Sequence, residues 1–227
     1  MCGRMALAFL NDESLTEKFG IPEAPDLHPR YNIAPSQWIA AVRFNLDRRT
    51  REFAWLRWGF VPSWSKDPTR MNMINARAET VTEKPAFKGA FRYKRCLIPA
   101  DGFYEWKAQG SGRKVPYHIT LKTGGLFAFA GIWDTHVDEN ADLQKTCAII
   151  TTTPNELMSE IHNRMPVILA EKDYAAWLEP GKADLNHLKS LLKPFPSTLM
   201  QAREISLRVN SASNDDAGVL APPEEQD

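Results

Sequence analysis

The second residue offers the most distinctive chemistry in the sequence. Cys2 follows Met1, and a methionine before a small side chain is usually excised, so we expect Cys2 to become the terminal residue. A terminal amine with a pKa of about 8 and a thiol with a pKa of about 8.5 are both partly nucleophilic near neutral pH. The amine can condense with an aldehyde to an imine, and the thiol can then close a thiazolidine ring intramolecularly. Taken alone, a terminal cysteine more often has no role.

The other cysteines and the histidines indicate neither a metal nor a disulfide framework. Cys96 and Cys147 bring the cysteine total to three, an odd number, without a CxxC pair. The five histidines lie apart, without the spacing of metal ligands. We therefore expect no metal and no cofactor.

Composition and charge indicate an ordinary globular protein. The 227 residues include 28 Lys and Arg, 28 Asp and Glu, and 43% hydrophobic residues, which excludes disorder as the main state. No apolar run approaches the roughly 18 residues of a membrane span, and the first residues lack a secretory signal. We expect a cytoplasmic monomer that is associated with the nucleoid when it binds DNA.

The charges are unevenly distributed along the chain. After Arg208 there are five acidic residues and no Lys or Arg, so the preceding chain carries five more basic than acidic residues. Such an excess is compatible with a polyanionic partner. The sequence predicts one domain over residues 1–210 and an acidic, disordered tail over residues 211–227.

Periodicity predicts an α+β fold with a mostly antiparallel, barrel-like sheet core and short peripheral helices. Asn11 and Asp12 are expected to begin a helix that ends at Gly20, whereas the prolines in residues 28–37 indicate a loop. Alternation is clearest at 116–121 and 203–209. The other predicted helices cover 155–161, 172–178 and 184–192. The predicted strands cover 3–9, 37–44, 52–59, 95–99, 102–107, 116–121, 126–133, 145–152, 166–169 and 203–209.

Six motifs occur in order along the chain. They are MCGR at the start, YNIAPSQ (31–37), WGFVPSW (58–64), INARAET (74–80), RCLIPADGFYEW (95–106) and IHNRMP (161–166). Together they closely resemble the SOS response-associated peptidase family, whose members sense abasic sites in single-stranded DNA and cross-link themselves to them. The resemblance extends from Cys2 to about Asn210 and implies a compact, largely antiparallel β fold.

The resemblance implies roles for four catalytic residues. Cys2 would capture the sugar aldehyde, and Asn75 would hold the terminal amine or a sugar oxygen. Glu105 would be the general acid and base in imine formation and in reversal of the cross-link. His162, after a predicted helix whose C-terminus favours imidazolium, would donate a proton to the sugar ring oxygen as it opens. Slow β-elimination of the 3′ phosphate is an expected side activity.

The same resemblance implies a DNA-binding surface. Arg4, Arg77 and Arg164 match family positions near phosphates, and Trp106 is our candidate for a base contact or a wedge against a duplex end. Trp38 and Trp64 also lie where they could stack on unpaired bases. A further basic helical face, for which a merely solvated surface is the favoured interpretation, is predicted from the spacing of Lys84, Lys88, Arg92 and Arg95.

Other functions fit parts of the sequence. Glutamine amidotransferases of the N-terminal-nucleophile class also begin with MCG, but they use an Asn-Gly pair that this chain lacks. A noncatalytic single-strand binder would leave Cys2 incidental. Proteolysis beyond exposure of Cys2 itself has little support in these residues.

Overall fold

The chain folds mainly into antiparallel strands, as the alternating patterns predict. A computed structural model describes residues 2–10, 12–23, 26–65, 71–110, 112, 114–138, 140–180 and 184–223. Within these ranges, five short α-helices lie around the sheets: α1 (Asp12–Phe19), α2 (Lys88–Tyr93), α3 (Glu156–Ser159), α4 (Tyr174–Leu178) and α5 (Leu185–Ser190). The position of Asn11, proposed with Asp12 to begin the first helix, lies outside the described residues.

One sheet has five strands in the order β13-β8-β7-β1-β2. They are β1 (Met5–Leu7), β2 (Arg30–Ile33), β7 (Gly102–Ala108), β8 (Lys114–Leu121) and β13 (Met200–Glu204). The β7–β8 register pairs Tyr104 with His118 and Glu105 with Tyr117. Gly102 is required here because a Cβ at this position would lie 2.1 Å from His118 Nε2.

The second sheet closes on itself. Strands β10, β4, β3, β6 and β9 pair in that order, and β9 pairs again with β10, which forms a small barrel. Strands β11, β12 and β5 add to its edges. The remaining strands are β3 (Trp38–Asn45), β4 (Thr50–Trp58), β5 (Asn75–Arg77), β6 (Arg95–Ala100), β9 (Phe127–Val137), β10 (Leu143–Thr152), β11 (Met165–Pro166) and β12 (Ile168–Leu169).

One large core fills the barrel and the space beneath the first sheet. Trp58, Phe103 and Phe129 are fully buried in it, and the rings of Phe103 and Phe129 meet edge to face with centroids 5.9 Å apart. Cys2 belongs to the same cluster. The α+β class with an antiparallel, barrel-like core is therefore confirmed.

Two local predictions are wrong, and one strand was missed. Residues 30–33 form a strand rather than a loop, because their backbone pairs with β1 despite the flanking prolines. The strand predicted at 203–209 ends at Glu204, and residues 207–210 form a 3₁₀ turn that exposes Leu207. The short strand β5 was not predicted.

The predicted disordered tail is also wrong for residues 211–223. Asp215 accepts hydrogen bonds from the backbone N–H groups of Tyr31 and Asn32, and residues 217–220 form a 3₁₀ turn. Val219 is fully buried against Tyr104 and Val209. The acidic composition predicted disorder, whereas Asp215 and Val219 together anchor this segment. Residues 224–227 lie outside the described part of the chain.

Candidate active site

Pairing between β1 and β7 brings the start of the chain beside Glu105. Met5 lies opposite Phe103, and the Tyr104 N–H donates to the Arg4 carbonyl over 3.0 Å. Continuing this antiparallel register places Glu105 next to Gly3 and Cys2. Two residues 103 positions apart in the sequence therefore meet because a strand near the terminus joins the sheet.

The Cys2 thiol is fully buried, and the Arg4 backbone N–H donates to its sulfur. Burial raises the pKa of this thiol well above its usual value, and the nearby Glu105 carboxylate raises it further. The resting sulfur is therefore a thiol. It needs a base within reach before it can add to an electrophile.

Glu105 can serve as that base. Its side chain is only 3% exposed, and burial raises its pKa to about 7. The carboxyl is then present in both protonation states near neutral pH, which suits an acid and base that acts in both directions of a reaction.

Glu105 opens onto a cleft of about 520 Å³. Trp106, Lys114, His162 and Asn210 also line it, together with Gly112. Burial is the main cause of the raised pKa of Glu105 and of the lowered pKa of His162; the positive charge of Lys114 partly offsets the first shift and adds to the second. The cleft thus joins Glu105, His162 and Trp106, which are distant in sequence, and it is wide enough for a sugar and the groups attached to it.

His162 lies in the turn after α3, and its N–H donates to the Met158 carbonyl over 2.7 Å. Its Nδ1 accepts from the Arg164 backbone N–H over 3.0 Å. Burial lowers the pKa of His162. Burial and nearby positive charge therefore oppose the helix C-terminus and favour the neutral ring over the expected imidazolium. Nδ1 also lies 3.3 Å from the Arg164 carbonyl, so this nitrogen accepts or donates according to the tautomer.

Asn75 begins β5, which pairs in parallel with β10. Its Nδ2 donates to the Ile74 carbonyl over 3.0 Å, and Oδ1 is buried without a hydrogen-bond partner in the described part of the chain. A buried amide oxygen without a donor has a vacant acceptor position that a ligand or an amine can fill. The described contacts do not link Asn75 directly to Cys2.

The three predicted phosphate-binding arginines differ in availability. Arg164 is bound to Glu79 through both guanidinium ends, at 2.5 and 2.9 Å, and donates to the Thr151 carbonyl. Arg4 donates to the Asn32 side chain. Arg77, at the end of β5, is exposed.

Arg4 also stabilises the side of the cleft formed by Trp106 and Asn210. Its guanidinium donates to the carbonyls of Val209 and Asn210 and lies 5.9 Å from the Trp106 ring centre. The indole N–H of Trp106 donates to Asn210 Oδ1 over 2.7 Å. Trp106 is therefore fixed at the cleft by contacts from both ends of the chain.

Arg95 does not belong to the predicted basic helical face. Lys84, Lys88 and Arg92 are exposed at or near α2, but Arg95 is buried and donates to four backbone carbonyls, including those of Trp177 and Glu179. Burial lowers its pKa to about 10. Arg95 joins α2 to α4 instead of meeting solvent.

Sequence reasoning missed Lys114 and Asn210. Lys114 begins a strand, and Asn210 ends a turn directly after the predicted strand 203–209, so no local pattern indicated either residue. Only the pairing of β7 with β8, and the Arg4 contacts described above, bring them to the cleft.

No set of three or more His, Cys, Asp and Glu side chains is arranged to hold a metal ion in the described ranges. None of the helices described there is long and apolar enough to cross a membrane.

Comparison with known proteins agrees with the motif resemblance. The family model described as SOS response associated peptidase (SRAP) matches residues 1–212. Abasic site processing protein YoqW of Bacillus subtilis (strain 168) is 46% identical over 94% of this chain and 96% of its own length. Abasic site processing protein HMCES of Pongo abelii is 33% identical over 87% of this chain and 66% of its own length.

A solved structure shows the same fold. The crystal structure of a protein from Bacteroides thetaiotaomicron has a TM-score of 0.87 and 28% identity, and the match covers 97% of this chain and 99% of that one. With a family model that spans nearly the whole chain, these findings show that the chain belongs to the SOS response associated peptidase family.

Proposed function

We propose that this chain processes abasic sites in single-stranded DNA by forming a covalent thiazolidine on Cys2. Relatives that match almost end to end are named abasic site processing proteins, which supports the choice of lesion. The observation that carries the chemistry is a buried Cys2 beside Glu105, whose pKa lies at about 7, on an open cleft. Removal of Met1 is part of the proposal, because it creates the amine.

The first step opens the sugar and forms an imine. Neutral His162 takes the proton of the C1′ hydroxyl and, as imidazolium, gives a proton to O4′ as the C1′–O4′ bond breaks, which exposes the aldehyde and returns the ring to its neutral form. The Cys2 amine attacks C1′ and passes one of its protons to the carbonyl oxygen, which leaves as water after it takes a second proton from the Glu105 carboxyl. A protonated C=N bond has then replaced the carbonyl.

The second step closes the ring. Glu105, now a carboxylate, accepts the thiol proton as the Cys2 sulfur adds to the carbon of the protonated imine, which returns Glu105 to its acid form and leaves a neutral ring nitrogen. The net change joins amine, thiol and aldehyde into a thiazolidine and releases one water. The same groups can reverse each transfer, so Glu105 serves both capture and release.

The imine also permits a slower reaction. It acidifies C2′, so loss of a C2′ proton can expel the 3′ phosphate by β-elimination. Because the thiol is adjacent to the imine, ring closure competes with this elimination. Lyase activity is therefore a side reaction that grows when sulfur is removed.

The surrounding residues hold the strand. Asn75 Oδ1 is available to accept from the Cys2 amine or a sugar hydroxyl, and exposed Arg77 and Lys114 contact phosphates. Arg4 and Arg164, whose guanidinium groups already bind protein atoms, chiefly position Trp106 and the turn that carries His162. Trp106 contacts a base at the lesion.

A gel assay tests this function. Protein with a verified free Cys2 amine is mixed with a single-stranded oligonucleotide that contains an abasic site, and we expect a heat-stable shifted band. Cys2→Ala abolishes the band but keeps noncovalent binding, whereas Cys96→Ala, which removes a buried cysteine outside the cleft, keeps both. Absence of the band with the unmodified protein rejects the function.

A further inference from the structure

Two exposed tryptophans lie on the outer face of the β3–β4 hairpin. Trp38 is 46% exposed and Trp55 is 51% exposed, whereas Ile39 and Leu56, which point to the other face, are buried. The antiparallel register places Trp38 opposite Arg57 and Ala40 opposite Trp55. Trp38 and Trp55 are therefore diagonal neighbours on one face, close enough for aromatic side chains to lie side by side.

This face has the chemistry of a single-strand binding surface. Arg57 lies in the same patch as both indoles, and the small Ala40 beneath them is buried. The accessible end of this face carries the cation Arg57 and no acid. Towards the other end the face is covered, since Val42 is fully buried and Arg51 donates to the Phe19 carbonyl. Aromatic rings stack on bases while arginine binds the phosphate backbone.

A chain of hydrogen bonds connects this face with the cleft. Gln37, the residue before Trp38, accepts from Arg30 over 2.7 Å, and Asp215 in turn binds Arg30 and the Asn32 backbone. Asn32 accepts from Arg4 over 2.7 Å, and Arg4 contacts Trp106. In order from the hairpin to the cleft, the members are Gln37, Arg30, Asp215, Asn32 and Arg4.

We propose that the Trp38–Arg57–Trp55 face binds unpaired bases of the DNA strand that continues beyond the abasic site. This rests on the proposed function and extends it from the lesion to the flanking strand. A protein partner fits less well, because the two indoles alternate with arginine instead of forming a continuous aliphatic patch. The face would make binding depend on strand length.

The test compares two DNA ligands that cannot be cross-linked. Each carries a tetrahydrofuran analogue of the abasic site, which has no aldehyde; one is a trinucleotide and the other a strand of about 15 nucleotides, near the upper size that one binding domain covers. The ratio of their dissociation constants is measured for the unmodified protein and for Trp38→Ala and Trp55→Ala. We call the ratio of the trinucleotide dissociation constant to the long-strand dissociation constant the long-strand advantage. We expect each alanine variant to lower it roughly tenfold, which is the effect of one lost base stack.

Matched variants separate stacking from damage to the fold. Trp38→Phe and Trp55→Phe keep a ring and should retain most of the advantage. Tyr93→Ala removes another exposed aromatic, which is 59% exposed next to the basic residues of α2, and should leave the ratio unchanged. Arg57→Gln should make the log-log salt slope for the long strand shallower by about 0.7.

Three results would overturn the proposal: an unchanged ratio in both alanine variants, an equal loss for short and long strands, or an equal loss with phenylalanine. Covalent capture of a natural abasic site by the unmodified protein is measured in parallel. Capture with an unchanged ratio rejects only the hairpin face, whereas absent capture rejects the proposed function.

Discussion

The two faces of the β7–β8 hairpin bury titratable side chains in different surroundings. On one face, Glu105 lies beside Cys2 and opens onto the cleft. On the other, His118 stacks on Tyr104 with ring centroids 5.0 Å apart, where residues 205–220 cover Tyr104. Burial raises the pKa of Glu105 to about 7 and lowers that of His118 to about 4, so both groups favour the neutral form.

The contrast shows that a shifted pKa alone does not identify a site. Burial acts on both side chains, but only Glu105 faces a space that a reactant can enter and a sulfur with which it can exchange a proton. Tyr104 and His118 contribute packing, and the C-terminal segment excludes water from them. Access and a chemical partner distinguish the catalytic face from the structural one.

The largest expected effect concerns the open face. Glu105→Gln keeps the size of the side chain but cannot accept or release a proton, so capture of an abasic oligonucleotide and release of the cross-link should both slow roughly 100-fold. Single-turnover gel assays in each direction measure the two rates. Unchanged rates would show that Glu105 has no part in the mechanism. Neither face of the hairpin would then have a demonstrated catalytic role.

The covered face should affect stability and not chemistry. Val219→Ala leaves a small cavity beside Tyr104 and should lower the free energy of unfolding by about 2 kcal/mol, with a capture rate within twofold of the unmodified protein. Val137→Ala, at an exposed valine, is the matched control and should cost less than about 0.5 kcal/mol. A large rate loss with unchanged stability would show that the covered face serves the chemistry.

The two faces should also give opposite pH dependence of stability. From pH 4.5 to about 7 the folded protein keeps a proton on Glu105 that the unfolded chain releases, so this group lowers stability as pH rises. From pH 6.5 down to about 4 the unfolded chain gains a proton on His118 that the folded protein excludes, so this group lowers stability as pH falls.

Urea unfolding of two single variants between pH 4.5 and 6.5 measures the contribution of each group to the pH dependence of stability. Glu105→Gln should make stability rise more steeply with pH and should add up to about 3 kcal/mol at pH 8. His118→Leu should make stability fall with pH over the same range. Equal slopes in both variants and the unmodified protein would contradict the opposite shifts.

The smallest expected effect is on the salt dependence of DNA binding, which distinguishes basic residues that contact phosphate from those that meet only water. With about four contacts, binding to an intact single strand should have a log-log salt slope near −3, and Arg77→Ala should make it shallower by about 0.7. Lys88→Ala, on exposed α2, should leave the slope unchanged. A shallower salt slope in the Lys88 variant would show that the basic face at α2 binds phosphate and is not merely solvated.

The strands were largely predictable from sequence, because alternation reflects one buried face of each strand. Residues 116–121 lie within β8 as predicted, although both faces of that strand are covered, since Ile119 and His118 are both buried. Ile205 and Val209 are buried too, but they belong to a turning segment in which Leu207 points to solvent. Alternating hydrophobicity did not distinguish that arrangement from a strand.

The site was predictable where a motif carried it and not where tertiary contacts did. Glu105 lies in the GFYEW motif, and its buried surroundings agree with the aromatic neighbours. The intramolecular bonds of Arg4 and Arg164 depend on partners at Asn32 and Glu79, which are far away in sequence. An arginine near a catalytic motif looks the same in a sequence whether it binds phosphate or protein.

The most direct test replaces only the Cys2 sulfur. With Met1 removed, Cys2→Ser keeps the terminal amine but offers a much weaker nucleophile for ring closure. We expect the unmodified protein to give a heat-stable adduct without reductant, whereas the serine variant gives one only when borohydride traps the imine, together with more strand cleavage. A heat-stable adduct of the serine variant without borohydride would contradict the thiazolidine.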